Sequence, residues 1–308
     1  MKQRIGIVFD WDHTCSPMYM EGPIFTHYGI PERAFWEEVH RRAHEDTKYL
    51  NTRVFVEHEY LNYLVECACN GTMKDLDNPR LTEIGCKIPT FPGLDTIIKK
   101  LDELGAEVHI VTSGLRAMLL EHPAIKPIVQ DKNIQGAEFL DYTWETGLDG
   151  KPQRVPQGHI VSVAKTLLPS DKVRVLEEIA KGCAEFFYDA CVPLPPDQYL
   201  IPYKNMIYVG DGVSDIYAFE QVRKYGGFAV GVYANAKGFK QMEIIRKDGF
   251  LDILGIADYR EEATVGNWLI NKVLAIKDRI AAEEAEIEDK RIAELRTHAP
   301  EYLFPWSK

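Results

Sequence analysis

The sequence predicts an α/β protein: a Rossmann-like parallel sheet with helices on both faces, plus a small helical segment inserted after the first strand. Three observations predict it. Short apolar runs rich in β-branched residues recur at 4–9, 106–111, 205–209 and 228–233, with the length and content of strands buried on both faces. Helical patterns separate these runs, as crossovers between parallel strands require. Three of the runs end in polar clusters, at Asp10–Thr14, Thr112–Gly114 and Gly210–Asp215. In an open parallel sheet such ends share one edge, where ligands bind.

The elements follow in order. The opening MKQRIGIVFDW enters the first strand at once. It has no signal-peptide layout, and no run is long and apolar enough to span a bilayer, so a cytoplasmic protein without membrane partners is expected. Residues 31–63 are rich in helix formers with apolar residues three and four apart, and 81–87 reads as a further helical turn. Together they make residues 16–88 a helical cap of about seventy residues, near the low end of domain size. The punctuation Pro89-Thr-Phe-Pro-Gly93 returns the chain to a core spanning 1–15 and 89–265. Leu94 to Leu104 reads as an amphipathic helix stopped by Gly105, and the run 106–111 as a strand, with helix expected from Leu115 to Leu120. Residues 138–156 alternate and carry Gly147 and Gly150, the pattern of a hairpin beside the sheet. Asp171 to Gly182 is a helix with an acid at its start and glycine at its end; the Pro-rich stretch 183–203 is expected as a surface loop. The final segment, 266–308, holds one long helical pattern from Trp268 to Leu295. Its apolar stripe Leu269, Val273, Ile276, Ile280 and Ile287 meets Glu283 and fades, so packing on the domain is favoured over a coiled coil; self-association through it stays open.

Composition excludes some function classes. The 36 basic and 47 acidic residues give a formal net charge of −11, which argues against nucleic-acid binding as the main task. A small phosphorylated substrate remains compatible, because local charge at a site can oppose the global field. The six cysteines are scattered through a mid-sized chain, as reduced thiols would be. Cys67 and Cys69 have no second Cys/His pair at finger spacing.

The chemistry lies in the strand ends. Asp10 and Asp12, two positions apart at the tip of a buried strand, are hard to ionise together without a cation. Asp211 and Asp215 end another strand, Thr112 and Ser113 a third, and Lys172 at a helix start completes the set. Singly, an Asp after a strand is a common helix N-cap and Gly-Asp-Gly a common turn. Their order at three strand ends makes chance unconvincing.

At this point the chain resembles the haloacid dehalogenase-like (HAD) hydrolase superfamily, in its phosphoserine-phosphatase-like branch with a C1-type helical cap. FDWDHT is similar to the first motif, Asp-x-Asp-x-Thr, IVTSG to the second, and VGDGVSD to the fourth. The resemblance covers 1–15 and about 90–260. It implies a Mg²⁺-dependent phosphatase that hydrolyses a small phosphorylated metabolite through an aspartyl-phosphate. Asp10 would be the nucleophile and Asp12 the general acid/base, with Thr112 and Lys172 completing the catalytic set. Thr112, Ser113, Gly114 and Lys172 would bind the phosphate. Asp10, Asp12 (through its backbone carbonyl), Asp211 and Asp215 would serve the metal, Asp215 standing at or behind the metal ligands. Elementary chemistry agrees: a carboxylate attacks an anionic phosphate only if Mg²⁺ and a lysine cancel their repulsion. An aspartate two positions after the nucleophile separates phosphatases from the dehalogenases and phosphonatases of the superfamily. A phosphotransferase or mutase, and a non-catalytic phospholigand-binding protein, are the alternatives.

Two departures stand out. The position before Thr14 is commonly glycine in that family and is His13 here. Lys172 lies far before Asp211, so Lys165 and Lys204 compete for its role. The Arg41-Arg42 pair fits a solvated helix face, and Glu21 sits near, but not at, the spacing of a substrate-binding acid.

Overall fold

The computed structural model describes residues 3–186 and 190–297. In chain order the elements are β1 (Ile5–Phe9), α1 (Gly22–Tyr28), α2 (Glu32–Leu50), α3 (Val56–Cys69), α4 (Asn78–Gly85), α5 (Leu94–Glu103) and β2 (Ala106–Leu115). There follow β3 (Ile134–Leu140), β4 (Tyr142–Thr146), β5 (Pro152–Pro156), β6 (Ser162–Lys165), α6 (Asp171–Lys181), α7 (Cys183–Phe186) and β7 (Met206–Gly210). The chain closes with α8 (Ile216–Lys224), β8 (Phe228–Tyr233), α9 (Ala236–Lys247), β9 (Ile253–Ile256) and α10 (Thr264–Thr297).

The central sheet has seven strands in the order β6-β3-β2-β1-β7-β8-β9. All neighbours are parallel except the edge strand β6, which runs antiparallel to β3. The fold is therefore the α/β Rossmann-like sheet the sequence predicts. After β1 the chain builds outward through β2 and β3, then crosses to β7 on β1's other side. That reversal makes the carboxyl end of β1 the topological switch point, where a crevice must open.

Period-two alternation along β1 sorts its side chains. Ile5, Ile7 and Phe9 face a core shared with α5, the first half of α10 and the insert. Val8 faces the second core, under α6 and α8. The next residue of that parity is Asp10, so it leaves the strand on the α6 side. β7 divides the same way: Ile207 and Val209 join the first core, Met206 and Tyr208 the second.

Helix ends follow local chemistry. α6 stops at Gly182, whose φ of 72° turns its N–H back to the carbonyls of Glu178 and Ile179. The Asn235 side chain caps α9 by accepting from the N–H groups of Lys237 and Gly238. The insert helices α1 to α4 do not form a core of their own: Met20, Ile24, Leu61, Leu64 and Leu81 belong to the same buried cluster as Ile7 and Phe9.

Some expectations need correction. Leu115–Leu120 is not a helix. β2 continues through an irregularity to Leu115, which pairs with Ala137, and only a 3₁₀ turn at Arg116–Met118 follows. That turn is fixed by the Arg116 side chain, which donates to the carbonyls of Ile134 and Asp131. Of the expected 138–156 hairpin, Glu138–Leu140 belongs to the main sheet, and the hairpin is β4–β5 alone. The 183–203 stretch is not wholly a surface loop: Leu200 and Ile201 are buried beneath α6 and β1, and its residues 187–189 lie outside those described. The long final helix is α10; Val265, Leu269, Val273, Ile276 and Ile280 are buried, and Glu283, where the stripe fades, pairs with Lys204 at 2.7 Å. Among the described residues no helix is long and apolar enough to cross a membrane.

The tightest junction between insert and core is at Gly85. A Cβ there would lie 1.9 Å from the carbonyl oxygen of Met118 and 2.5 Å from its Cα, both main-chain atoms that cannot step aside. Gly85→Ala should therefore destabilise the protein by about 3 kcal/mol, the upper end for overpacking, read as a lowered urea midpoint with unchanged slope.

Candidate active site

Asp10 follows β1 directly, and its N–H donates to the Val209 carbonyl at 2.9 Å, carrying the β1–β7 ladder one residue past the strand. Beyond it the chain folds back sharply: the Trp11 carbonyl accepts from the N–H groups of Thr14, Cys15 and Ser16. This turn needs a left-handed residue, and His13 supplies it at φ 57°. The glycine common at this position in the resembled motif thus has a conformational reason.

The turn brings Thr14 under the acids. Its hydroxyl lies 3.5 Å from Asp10 Oδ2 and 3.4 Å from Asp211 Oδ1, and its carbonyl accepts from the buried Tyr259 hydroxyl at 2.7 Å. Asp211 and Asp215 come from the loop after β7. Carboxylate oxygens of Asp10, Asp211 and Asp215 all lie within 4.8 Å of one another.

Lys172, in the first turn of α6, projects its ammonium into this group. Nζ donates to Asp10 Oδ1 at 2.9 Å and to Asp215 Oδ1 at 2.6 Å, and its side chain is 1% exposed. The competing lysines are elsewhere. Lys165 donates to Gln135 on the edge of the sheet, and Lys204 pairs with Glu283.

Both carboxylate oxygens of Asp215 are engaged. Oδ1 accepts from Lys172 and, at 2.7 Å, from the Tyr208 hydroxyl; Oδ2 accepts from the N–H groups of Asp211 and Gly212. It thus braces the loop and the lysine while standing with Asp10 and Asp211 in the carboxylate group that could hold a cation. Asp12 stands apart from the three converging carboxylates: its Oδ1 accepts from the Met20 N–H at 2.9 Å.

Thr112 and Ser113 line the cavity above the acids. Thr112 Oγ1 accepts from the Gly114 N–H at 3.0 Å. Ser113 Oγ is buried with no hydrogen-bond partner among the described residues, in the cavity that Asp10 also lines. Gly114, expected at the phosphate, does not line the cavity: its N–H is committed to Thr112, and a Cβ there would sit 2.5 Å from Met20 Sδ.

Burial dominates the electrostatics. It pushes Asp10 up to about 6, outweighing the lowering by Lys172. It pushes Asp211 up to about 8, with Asp215 and Asp10 adding to the shift. Asp12 is held well above the usual carboxylate range by burial and then by Glu21 and Asp10. Burial pulls the Lys172 ammonium down, but its two carboxylates more than offset that, and its pKa is raised. One ammonium thus leaves this acid cluster short of positive charge. An all-oxygen, mostly carboxylate donor set with unmet negative charge fits a hard divalent cation such as Mg²⁺.

The cavity over these groups has a volume of about 580 Å³. Its other walls include His13 and Tyr19 from the turn after β1, Glu57 from α3, and Tyr233, Lys237 and Gln241 around the start of α9. Sequence reasoning missed this last wall and Tyr208. A signal existed for both: a fourth strand end with an Asn cap at 233–235, and one hydroxyl-bearing side chain within an apolar strand.

No protein-family profile matches the chain. An uncharacterized protein of Borreliella burgdorferi is 26% identical over 284 residues, which is 87% of this chain and 96% of that one. Among solved structures, gene product AF1437 from Archaeoglobus fulgidus superposes with a TM-score of 0.52 at 14% identity, covering 91% of this chain and 87% of its own. A substrate-bound phosphoserine phosphatase complex superposes at 0.49 and 20% identity, covering 85% and 97%. The AF1437 likeness carries the fold, in accord with the sheet order above.

The ion group should also be visible in stability. Lys172→Met, which leaves two buried carboxylates without their cation, is expected to cost about 3–5 kcal/mol. Tyr208→Phe, which removes one donor from Asp215, is expected to cost about 1–2 kcal/mol. Urea denaturation in chelator measures both, and a Lys172→Met loss no larger than that of Tyr208→Phe would contradict the arrangement.

Proposed function

We propose that the chain is a HAD-like, Mg²⁺-dependent phosphatase that hydrolyses small phosphate monoesters through an aspartyl-phosphate. The observation that supports this reading best is the buried Lys172 ammonium shared by Asp10 and Asp215 beneath an open cavity. A carboxylate at the switch point of a parallel sheet, fixed by a lysine and adjacent to further acids, is suited to accept a phosphoryl group. The motif resemblance points to the same roles.

Asp10 attacks phosphorus through Oδ2, the oxygen that Lys172 leaves free. Lys172 holds the carboxylate in place and offsets the negative charge gathering on the phosphoryl oxygens. Ser113 Oγ, without a partner among the described residues, and the Thr112 hydroxyl donate to those oxygens. Asp12, protonated because burial and its acidic neighbours raise its pKa, gives its proton to the leaving oxygen. The resulting Asp12 carboxylate then takes a proton from water as that water attacks the aspartyl-phosphate. Inorganic phosphate and Asp10 are released, and Asp12 is again protonated. The Met20 N–H orients the Asp12 carboxyl for both transfers.

Asp10 and Asp211 would hold the cation, with the main-chain carbonyl of Asp12 as a further oxygen and Asp215 at or behind them, as the resemblance implies. When bound, it supplies charge neutralisation that brings an anionic substrate to an anionic nucleophile. The remaining walls of the cavity accommodate a small phosphorylated metabolite. With no bilayer-spanning helix among the described residues, a cytoplasmic location is consistent.

The wild-type protein with Mg²⁺ should hydrolyse p-nitrophenyl phosphate, and excess EDTA should abolish turnover. Asp10→Asn should remove turnover with the fold intact by circular dichroism; full activity in that variant would exclude the mechanism. Asp12→Asn should lower kcat by about 10²–10⁴-fold, the range for loss of a general acid/base.

A further inference from the structure

His13 is where the chain departs from the motif it resembles, and its place in the fold gives that departure a use. Among the described residues three non-glycine residues have positive φ: His13, Asn51 and Asp75. Asn51 and Asp75 carry short polar side chains of the kind that hydrogen-bond locally in this conformation. His13 places an imidazole ring in this conformation, one residue after Asp12. Backbone strain kept beside a reactive centre points to a role for the side chain that causes it.

The ring is held still. It is half-buried and hydrogen-bonded to the Pro17 carbonyl. It meets Tyr19 edge to face, with ring centres 4.5 Å apart and planes at 79°. Both rings line the same cavity as Asp10, Asp12 and Lys172. Tyr19 remains 53% exposed although it is packed on His13, so it presents aromatic surface that nothing in the structure covers. Two crossed rings, one of them half bare, form a rigid aromatic corner on the side of Asp12, the side from which the leaving group is protonated.

We infer that His13 and Tyr19 form a leaving-group wall, and that the substrates are phosphate monoesters whose leaving group carries a planar aromatic ring. This inference rests on the reading of Asp10 as phosphoryl acceptor and of Asp12 as the acid on the leaving-group side. A planar ring stacks on the open tyrosine face or edge-packs against the corner, and loses little conformational freedom in doing so. A short aliphatic leaving group gains little there. The wall therefore discriminates by the leaving group while the acids and lysine handle the phosphoryl group common to all substrates.

The test separates the wall from the chemistry. Binding of phenylphosphonate and ethylphosphonate, neither of which can be hydrolysed, is measured by calorimetry with Mg²⁺ for wild type, Tyr19→Leu, Tyr19→Phe and His13→Gly. In parallel, kcat/KM is measured for phenyl phosphate and ethyl phosphate. Tyr19→Leu and His13→Gly should weaken phenylphosphonate binding by about five- to ten-fold, the size of an aromatic contact. Ethylphosphonate binding should change by less than about two-fold, and Tyr19→Phe, which keeps the ring, should behave as wild type. The ratio of kcat/KM for phenyl over ethyl phosphate should fall in step. Equal weakening of both phosphonates, no weakening of either, or no binding of either to wild type would overturn the wall. If no ester is turned over with any divalent metal, the phosphatase reading fails, and calorimetry still decides whether the wall exists. Should His13→Gly fail to fold, Tyr19→Leu against Tyr19→Phe decides the matter alone.

Discussion

A single buried ammonium ties this molecule together. Lys172 is 1% exposed, and its two carboxylate partners sit at the ends of different strands, Asp10 after β1 and Asp215 after β7. Taking such charges out of water costs several kcal/mol per ion, which only close, well-bonded partners offset. Everything around the lysine serves that condition. α6 has to begin at the carboxyl edge of the sheet so that its first turn can point inward. The Tyr208 hydroxyl and the N–H groups of Asp211 and Gly212 have to satisfy the lone pairs that Lys172 leaves on Asp215. The acids then have positions fixed by the sheet rather than by flexible loops.

The same constraint leaves Asp10 and Asp215 unequally committed. Asp215 accepts four hydrogen bonds, while Asp10 gives Oδ1 to the lysine and Oδ2 lies 3.5 Å from the Thr14 hydroxyl. Burial raises the pKa of Asp10 to about 6 and that of Asp211 to about 8, so the lysine alone does not offset the cost of ionising the whole cluster. A region short of positive charge under a cavity draws in a cation or retains protons. The protein's net charge of −11 gives no hint of this, because the balance that matters is struck among a few side chains in a low dielectric.

The fold was readable where it depends on local pattern. β1, β2, β7 and β8 announce themselves as apolar runs, and α5 and α6 by apolar spacing and terminal glycines. What the sequence hid depends on distant partners. β9, only four residues long, becomes a strand by pairing with β8; β3 begins in a polar-flanked stretch whose identity comes from β2. Leu115–Leu120 has helical composition, yet the extension of β2 to meet Ala137 takes its first residue. At the site, the acids were legible because they directly follow apolar strand runs, where the ends of a parallel sheet meet. The choice among Lys172, Lys165 and Lys204 was not, since it depends on where α6 starts in space rather than in sequence. Tyr208 was invisible for a related reason: a buried tyrosine reads as core until the position of its hydroxyl is known.

The insert bears on how the cavity can open. Phe25, Leu61, Leu64 and Leu81 lie in one continuous apolar cluster with Ile7, Phe9 and Ile110 of the sheet. The Tyr60 hydroxyl donates to the Ser113 carbonyl at 3.1 Å, joining α3 to the last part of β2, which carries Thr112. Moving the helices as one body would expose that cluster to water at roughly 25 cal/mol per Å² of apolar surface, as well as breaking this bond. The exposed rim of the cavity lies elsewhere, at Tyr19 after β1, Val213 after β7, and Ala234, Asn235, Lys237 and Gln241 around the start of α9. The turn after β1 is itself anchored by Trp11, Cys15 and Met20, all fully buried in the same cluster. Access to the acids is therefore set at that rim rather than at the seam between the insert helices and the sheet.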